Sequence, residues 1–125
     1  MKNTTLRVIQ NGQLLYESDK RWLMPLFDLE KYLAAHPIDF SGVELHDKVI
    51  GKAAALLMIR LGTGSVHGDV MSVLASDILE RNAIPHTYNT LVDRIDCQTE
   101  ELLLEIDDPE AAYQILAERA HRSTG

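Results

Sequence analysis

A chain of 125 residues with 46% hydrophobic residues is long enough to form one domain, here 1–125, around a buried core. Its net charge of −7 argues against general nucleic-acid binding and against binding to an anionic membrane, because both need clustered Lys and Arg. The single cysteine, Cys97, cannot form an internal disulfide, and no apolar run has the length of a signal peptide or a membrane span. We therefore expect a cytoplasmic protein.

Hydrophobic periodicity and turn residues predict alternating strands and helices along the chain. The predicted strands span 5–10, 13–18, 42–45, 65–70 and 84–91. The predicted helices span 23–36, 48–61, 71–81, 96–106 and 108–121. The clearest local signals are Asn11-Gly12, which is typical of a hairpin turn, and Pro85, which favours a strand start or an edge strand.

Strands that alternate with helices predict an α/β fold with right-handed crossovers. We expect three αβα layers around a mixed, mostly parallel sheet, with helices on both faces. The hairpin at the start supplies the antiparallel part of this sheet.

Four segments of the sequence resemble the family catalogued as domain of unknown function 1893. They are Asp47-Lys48-Val49-Ile50-Gly51-Lys52-Ala53-Ala54-Ala55, Gly68-Asp69-Val70-Met71-Ser72, Cys97-x-x-Glu100 and Ile106-Asp107-Asp108-Pro109-Glu110-x-Ala112-Tyr113. The resemblance covers nearly the whole chain and implies a cytidine-deaminase-like fold without an assigned activity. Where the family pattern has Cys-Pro-x-Glu, this chain has Cys97-Gln98-Thr99-Glu100.

The strongest candidate site consists of Asp47, Lys48, Gly51 and Lys52, at the predicted junction of a strand and a helix. Ligands of open α/β sheets bind at the carboxyl ends of strands, and a helix start offers unpaired amides to an anion. Lys48 and Lys52 would share one helix face, with a phosphate between them. The alternative is that Asp47 caps the helix while Lys52 pairs with a carboxylate.

Zinc-dependent deamination is excluded by the residues at the two predicted junctions. Deaminases of this fold group need His/Cys-x-Glu at the first junction and Pro-Cys-x-x-Cys at the second. This chain has His46-Asp47-Lys48 and Gly68-Asp69-Val70-Met71-Ser72 instead. We therefore expect no metal and no other cofactor.

Further candidates lie at the next strand end and in a predicted helix. His67 and Asp69 would line the same crevice, and Ser72 would contact the ligand or cap a helix. Cys97 lies in the first turn of a predicted helix and is a candidate nucleophile or a packing residue. Glu100 follows one turn later and is a candidate ligand contact or a capping partner.

Three functions are compatible with these residues. The first is binding of a nucleotide-like or phosphorylated small molecule, with Lys48 as a candidate general acid. The second is covalent chemistry at Cys97 or Lys48. The third is a non-enzymatic role in assembly, and for each of them a homo-oligomer is expected.

Overall fold

A computed structural model describes residues 4–20, 23–36, 39–95 and 102–124 of the protein. The strands are β1 (Leu6–Gln10), β2 (Gln13–Ser18), β3 (Glu44–Ile50), β4 (Ser65–Ser72) and β5 (His86–Val92). The helices are α1 (Met24–Ala35), α2 (Lys52–Leu61), α3 (Val73–Arg81) and α4 (Pro109–Thr124), with a short 3-10 turn over Phe40–Gly42. Most of the helix predicted over 96–106 lies outside the described residues.

The five strands form one sheet in the order β2-β1-β3-β4-β5. Strand β1 is antiparallel to both β2 and β3, whereas β3-β4 and β4-β5 are parallel. The α/β class and the mixed sheet are confirmed. The number and order of the elements are consistent with three αβα layers, but within the described residues one face of the sheet is uncovered along the polar row described below. Four of the five strands run in the same direction, as a mostly parallel sheet predicts, and β1 alone runs the other way, which makes two of the four strand pairs antiparallel.

The hairpin turn forms where the sequence predicts it. Asn11 and Gly12 both have positive φ, 54° and 78°, which is the backbone that Asn-Gly turns favour. The register shifts between Val8 and Ile9, where Val8 lies opposite Tyr16 and Ile9 opposite Leu14. This irregularity explains why the apolar residues of the hairpin do not alternate strictly.

Helix α2 lies at the centre of the packing and contacts α1, α3 and α4. Every residue from Lys52 to Met58 is buried, which the small side chains of Ala53–Ala55 allow by close approach. Near its other end, Arg60 donates to Glu30 of α1 at 2.6 Å and to Glu110 of α4 at 2.8 Å. Helix α2 therefore holds the helices together as well as covering the sheet.

The two faces of the sheet differ in character. Leu6, Val8, Leu45 and Val66 are buried on the apolar face. On the opposite face, a row of polar side chains crosses four neighbouring strands in register, in the order Arg7, His46, His67 and Thr87. These polar side chains are exposed or half-buried, so this face remains open to solvent along the row.

Candidate anion site at the end of strand β3

The strand-to-helix junction lies later in the chain than the sequence predicts. Strand β3 continues to Ile50 because Val49 and Ile50 still pair with Val70 and Met71 of β4. Gly51 then caps α2, which begins at Lys52. The prediction that Lys48 and Lys52 share a helix face is therefore wrong. Of the alternative, the Asp47 cap is also wrong, whereas the pairing of Lys52 with a carboxylate is observed.

Lys52 is enclosed within a structural ion pair. Only 3% of its side chain is exposed, and its Nζ donates to Asp107 Oδ1 at 2.7 Å and to the Leu104 carbonyl at 3.2 Å. Arg81 of α3 donates to the other Asp107 oxygen at 3.0 Å. The hydrogen bonds from Lys52 and Arg81 lower the pKa of Asp107. This cluster, which we call the Lys52 clasp, joins α2, α3 and the segment before α4.

Two other candidate residues have structural roles at helix starts. Gly51 is extended and supplies no side chain to cap α2. Ser72 is fully buried, and its hydroxyl accepts a hydrogen bond from the Ala75 amide at 3.0 Å as the cap of α3. The capping role for Ser72 is therefore observed, whereas its role as a ligand contact stays a prediction.

A small cleft opens where β1 begins beside the carboxyl half of β3, and we call it the β3 cleft. It has a volume of about 150 Å³. It is lined by Thr4, Thr5, Arg7, His46, Asp47, Lys48 and Asp69. Sequence reasoning missed the contribution of β1, because the antiparallel pairing that sets Arg7 beside His46 is visible only in the sheet topology.

Two cations, two carboxyl groups and two imidazoles lie in or next to the β3 cleft. Arg7 and Lys48 are both exposed at its rim. The rings of His46 and His67 lie 5.2 Å apart, which brings His67 next to the cleft. His46 Nε2 is 3.1 Å from Glu44 Oε1, and His67 Nε2 is 3.9 Å from Asp69 Oδ1. Each imidazole therefore lies near a carboxylate.

Asp47 is the most perturbed acid of the β3 cleft. Burial raises the pKa of its carboxyl group to about 7, the hydrogen bonds from the Lys48 and Val49 amides oppose that shift, and the nearby charge of Asp69 adds to it. Asp47 therefore changes charge near neutral pH, unlike an ordinary aspartate. When it is protonated, the cleft is more positive.

The remaining predictions concern metal binding and covalent chemistry. Among the described residues, no group of three or more His, Cys, Asp or Glu side chains is placed to hold a metal ion. Cys97 and Glu100 lie outside the described residues, so their predicted roles stay predictions. Lys48 is exposed, whereas a Schiff-base lysine is usually desolvated.

The model of a family described as a domain of unknown function, DUF1893, matches residues 1–120. The chain belongs to the DUF1893 family. A similar solved structure is the crystal structure of a DUF1893 family protein, TM1506, from Thermotoga maritima. The two sequences are 26% identical, and the two structures superpose with a TM-score of 0.83. The match covers 94% of this chain and 82% of the Thermotoga maritima chain.

The comparisons confirm the predicted family and leave its function unassigned. No curated protein matches the chain. Within the described part of this DUF1893 protein, no helix is both long and apolar enough to cross a membrane.

Proposed function

We propose that this DUF1893 protein binds a small anion in the β3 cleft, and that the anion is the phosphate group of a phosphorylated or nucleotide-like small molecule. The observation that carries the proposal is the convergence of Arg7 and Lys48 on one cleft beside the carboxyl half of β3. Two cations from different strands, set around a concave polar surface, suit an oxyanion. An arginine can further bind two phosphate oxygens at once.

The volume of the cleft limits what it can enclose. Pockets for whole drug-sized ligands measure about 300–1,000 Å³, whereas the β3 cleft measures about 150 Å³. It therefore suits one charged group, and the rest of a larger ligand would lie outside it. The adjacent imidazoles of His46 and His67 offer a half-buried surface for that remainder.

The acidic residues of the cleft oppose an anion, but unequally. Asp69 is 60% exposed, so solvent screens its charge. Asp47 has a pKa of about 7 and is neutral in a large fraction of molecules near neutral pH. The Thr5 hydroxyl already donates to the Ser18 and Lys20 carbonyls. Thr5 therefore holds the start of β1 in place and does not add charge to the cleft.

Two broader proposals accompany this function. The fold is of the cytidine-deaminase-like group, which the leading hairpin and the following alternation of strands and helices support. Relatives in that group handle nucleosides, which favours a nucleotide-like ligand by analogy. The protein acts in the cytoplasm, which its single cysteine supports.

The test measures thermal stabilisation by inorganic phosphate in the wild type and in Arg7→Gln, Lys48→Gln and Lys31→Gln variants. Lys31 is the matched control, because it is an exposed lysine on α1 outside the cleft. A ligand at 100 times its Kd stabilises the folded state by about 2.7 kcal/mol. We expect Arg7→Gln and Lys48→Gln to lose most of the wild-type shift and Lys31→Gln to keep it. Equal shifts in all four proteins would contradict the proposal.

A further inference from the structure

Strand β5 forms one edge of the sheet and is exposed on both faces. The five consecutive residues from Thr87 to Leu91 are all exposed, including 41% of Tyr88 and 42% of Leu91. Within the described residues β5 pairs with β4 on one side. Its other side therefore presents backbone amides and carbonyls to another strand.

The sequence of β5 lacks the features that usually protect such an edge. The segment His86–Val92 contains no proline, no lysine and no acidic residue. Proteins normally block an exposed edge strand with charges, prolines or bulges. At the opposite edge, β2 carries Glu17 within the strand and lies beside a register shift in β1. Only one of the two edges is therefore suited to pair.

We propose that β5 pairs antiparallel with β5 of a second copy of this chain, around a two-fold axis at Asn89. Two-fold pairing of identical strands makes the same contacts twice. In this register Tyr88 of each copy lies opposite Thr90 of the other, and Thr87 lies opposite Leu91. The pair of Tyr88 and Thr90 joins an aromatic and a β-branched residue, which stabilises antiparallel strands, and no like charges meet. This inference does not depend on the proposed anion site.

Charge complementarity at the ends of β5 favours a second copy over another partner. A groove of about 570 Å³ lies between α3 and β5, and Glu80, Ile84 and Tyr88 are among the residues that line it. The proposed register sets Arg94 of the second copy opposite Ile84. The exposed guanidinium of Arg94 then lies over the groove that contains the exposed Glu80. The symmetric contact forms at the other end of the pair.

The first experiment measures mass by sedimentation velocity over a range of protein concentrations. We expect the wild type to reach twice the chain mass of 14.0 kDa. Asn89→Lys and Asn89→Glu each place like charges opposite one another on the axis, which weakens dimerisation by about fivefold or more. An equimolar mixture of the two variants restores the dimer, because opposite charges then meet. The control is Leu14→Lys, which adds the same charge at the exposed β2 edge.

The second experiment tests the ends of the pair with Glu80→Arg, Arg94→Glu and the double variant. Each single variant weakens the dimer, and the double variant recovers it because the charges are exchanged. The Glu80 and Arg94 variants also test the proposal if the Asn89 variants do not fold. A wild type that stays monomeric at every concentration overturns the proposal. So does a dimer that Leu14→Lys dissociates while Asn89→Lys and the two charge reversals leave it intact.

Discussion

Two lysines four residues apart, Lys48 and Lys52, occupy opposite environments in this protein. Lys48 is exposed at the rim of the β3 cleft, whereas Lys52 is buried in the clasp with Asp107. The difference arises because the strand continues past Lys48 and the helix begins only at Lys52. One lysine is thus exposed to solvent, and the other stabilises the packing of the helices.

The largest expected effect is a difference in stability between the Lys52→Ala and Lys48→Ala variants. Lys52→Ala removes a buried stem and leaves Asp107 with one cationic partner, so we expect it to lower the free energy of unfolding by about 2–3 kcal/mol. Lys48→Ala changes an exposed side chain and is expected to stay within about 0.5 kcal/mol of the wild type. Urea unfolding measures both. Equal losses in the two variants would show that the environments do not differ.

The next effect concerns the pH dependence of stability. The folded-state pKa of Asp47 is raised to about 7 by burial, so the folded state holds a proton that the unfolded chain has already lost. Stability therefore decreases as pH rises from about 4 to about 7, by at most about 4 kcal/mol for the full shift. Asp47→Asn has no carboxyl proton to lose in this range, so it removes this decrease.

Urea unfolding at pH 5 and pH 8 checks this expectation. Asp47→Asn should be more stable than the wild type at pH 8, by about 1–2 kcal/mol after allowance for the partial exposure of the group. Asp93→Asn is the control, because Asp93 is exposed beyond β5. If Asp47→Asn and the wild type lose equal stability between pH 5 and pH 8, the Asp47 carboxyl group has an ordinary pKa.

The smallest effect distinguishes a helix cap from a ligand contact. Ser72→Ala removes the acceptor for the Ala75 amide, which costs about 1 kcal/mol of unfolding free energy. Because Ser72 is fully buried at the start of α3, we expect the phosphate-induced rise in Tm to stay at the wild-type value. Loss of the phosphate response with unchanged stability would reverse this assignment.

Local signals predicted most of the fold. Asn11-Gly12 gives the hairpin turn, Gly62 ends α2 in the left-handed conformation, and Asp108 accepts a hydrogen bond from the Ala111 amide before α4. Pro85 precedes a strand that does lie at the sheet edge. Each of these features depends on a few neighbouring residues, so a single sequence is enough to indicate it.

The candidate site was less predictable, because it depends on contacts between distant segments. The end of β3 depends on the pairing of Val49 and Ile50 with β4. The hydrophobic periodicity of the segment does not indicate this pairing. The partner of Lys52 lies 55 residues away at Asp107. Arg7 reaches the cleft through the position of β1 between β2 and β3. Of the predicted residues, Asp47, Lys48 and Asp69 line the β3 cleft, whereas Lys52 belongs to the clasp and Arg7 was not predicted.

The Lys52 clasp makes the cooperative folding of the protein depend on the C-terminal segment from Asp107 onward. Deleting the segment from Asp107 onward would strand a desolvated ammonium group inside the helical layer, and would also remove the Glu110 carboxylate that Arg60 holds. An interior charge without its counterion is among the most costly defects that a small protein can carry. Helix α4 is accordingly an integral part of the folding unit. We expect a chain that lacks it to lose the whole fold, and not only the C-terminal helix.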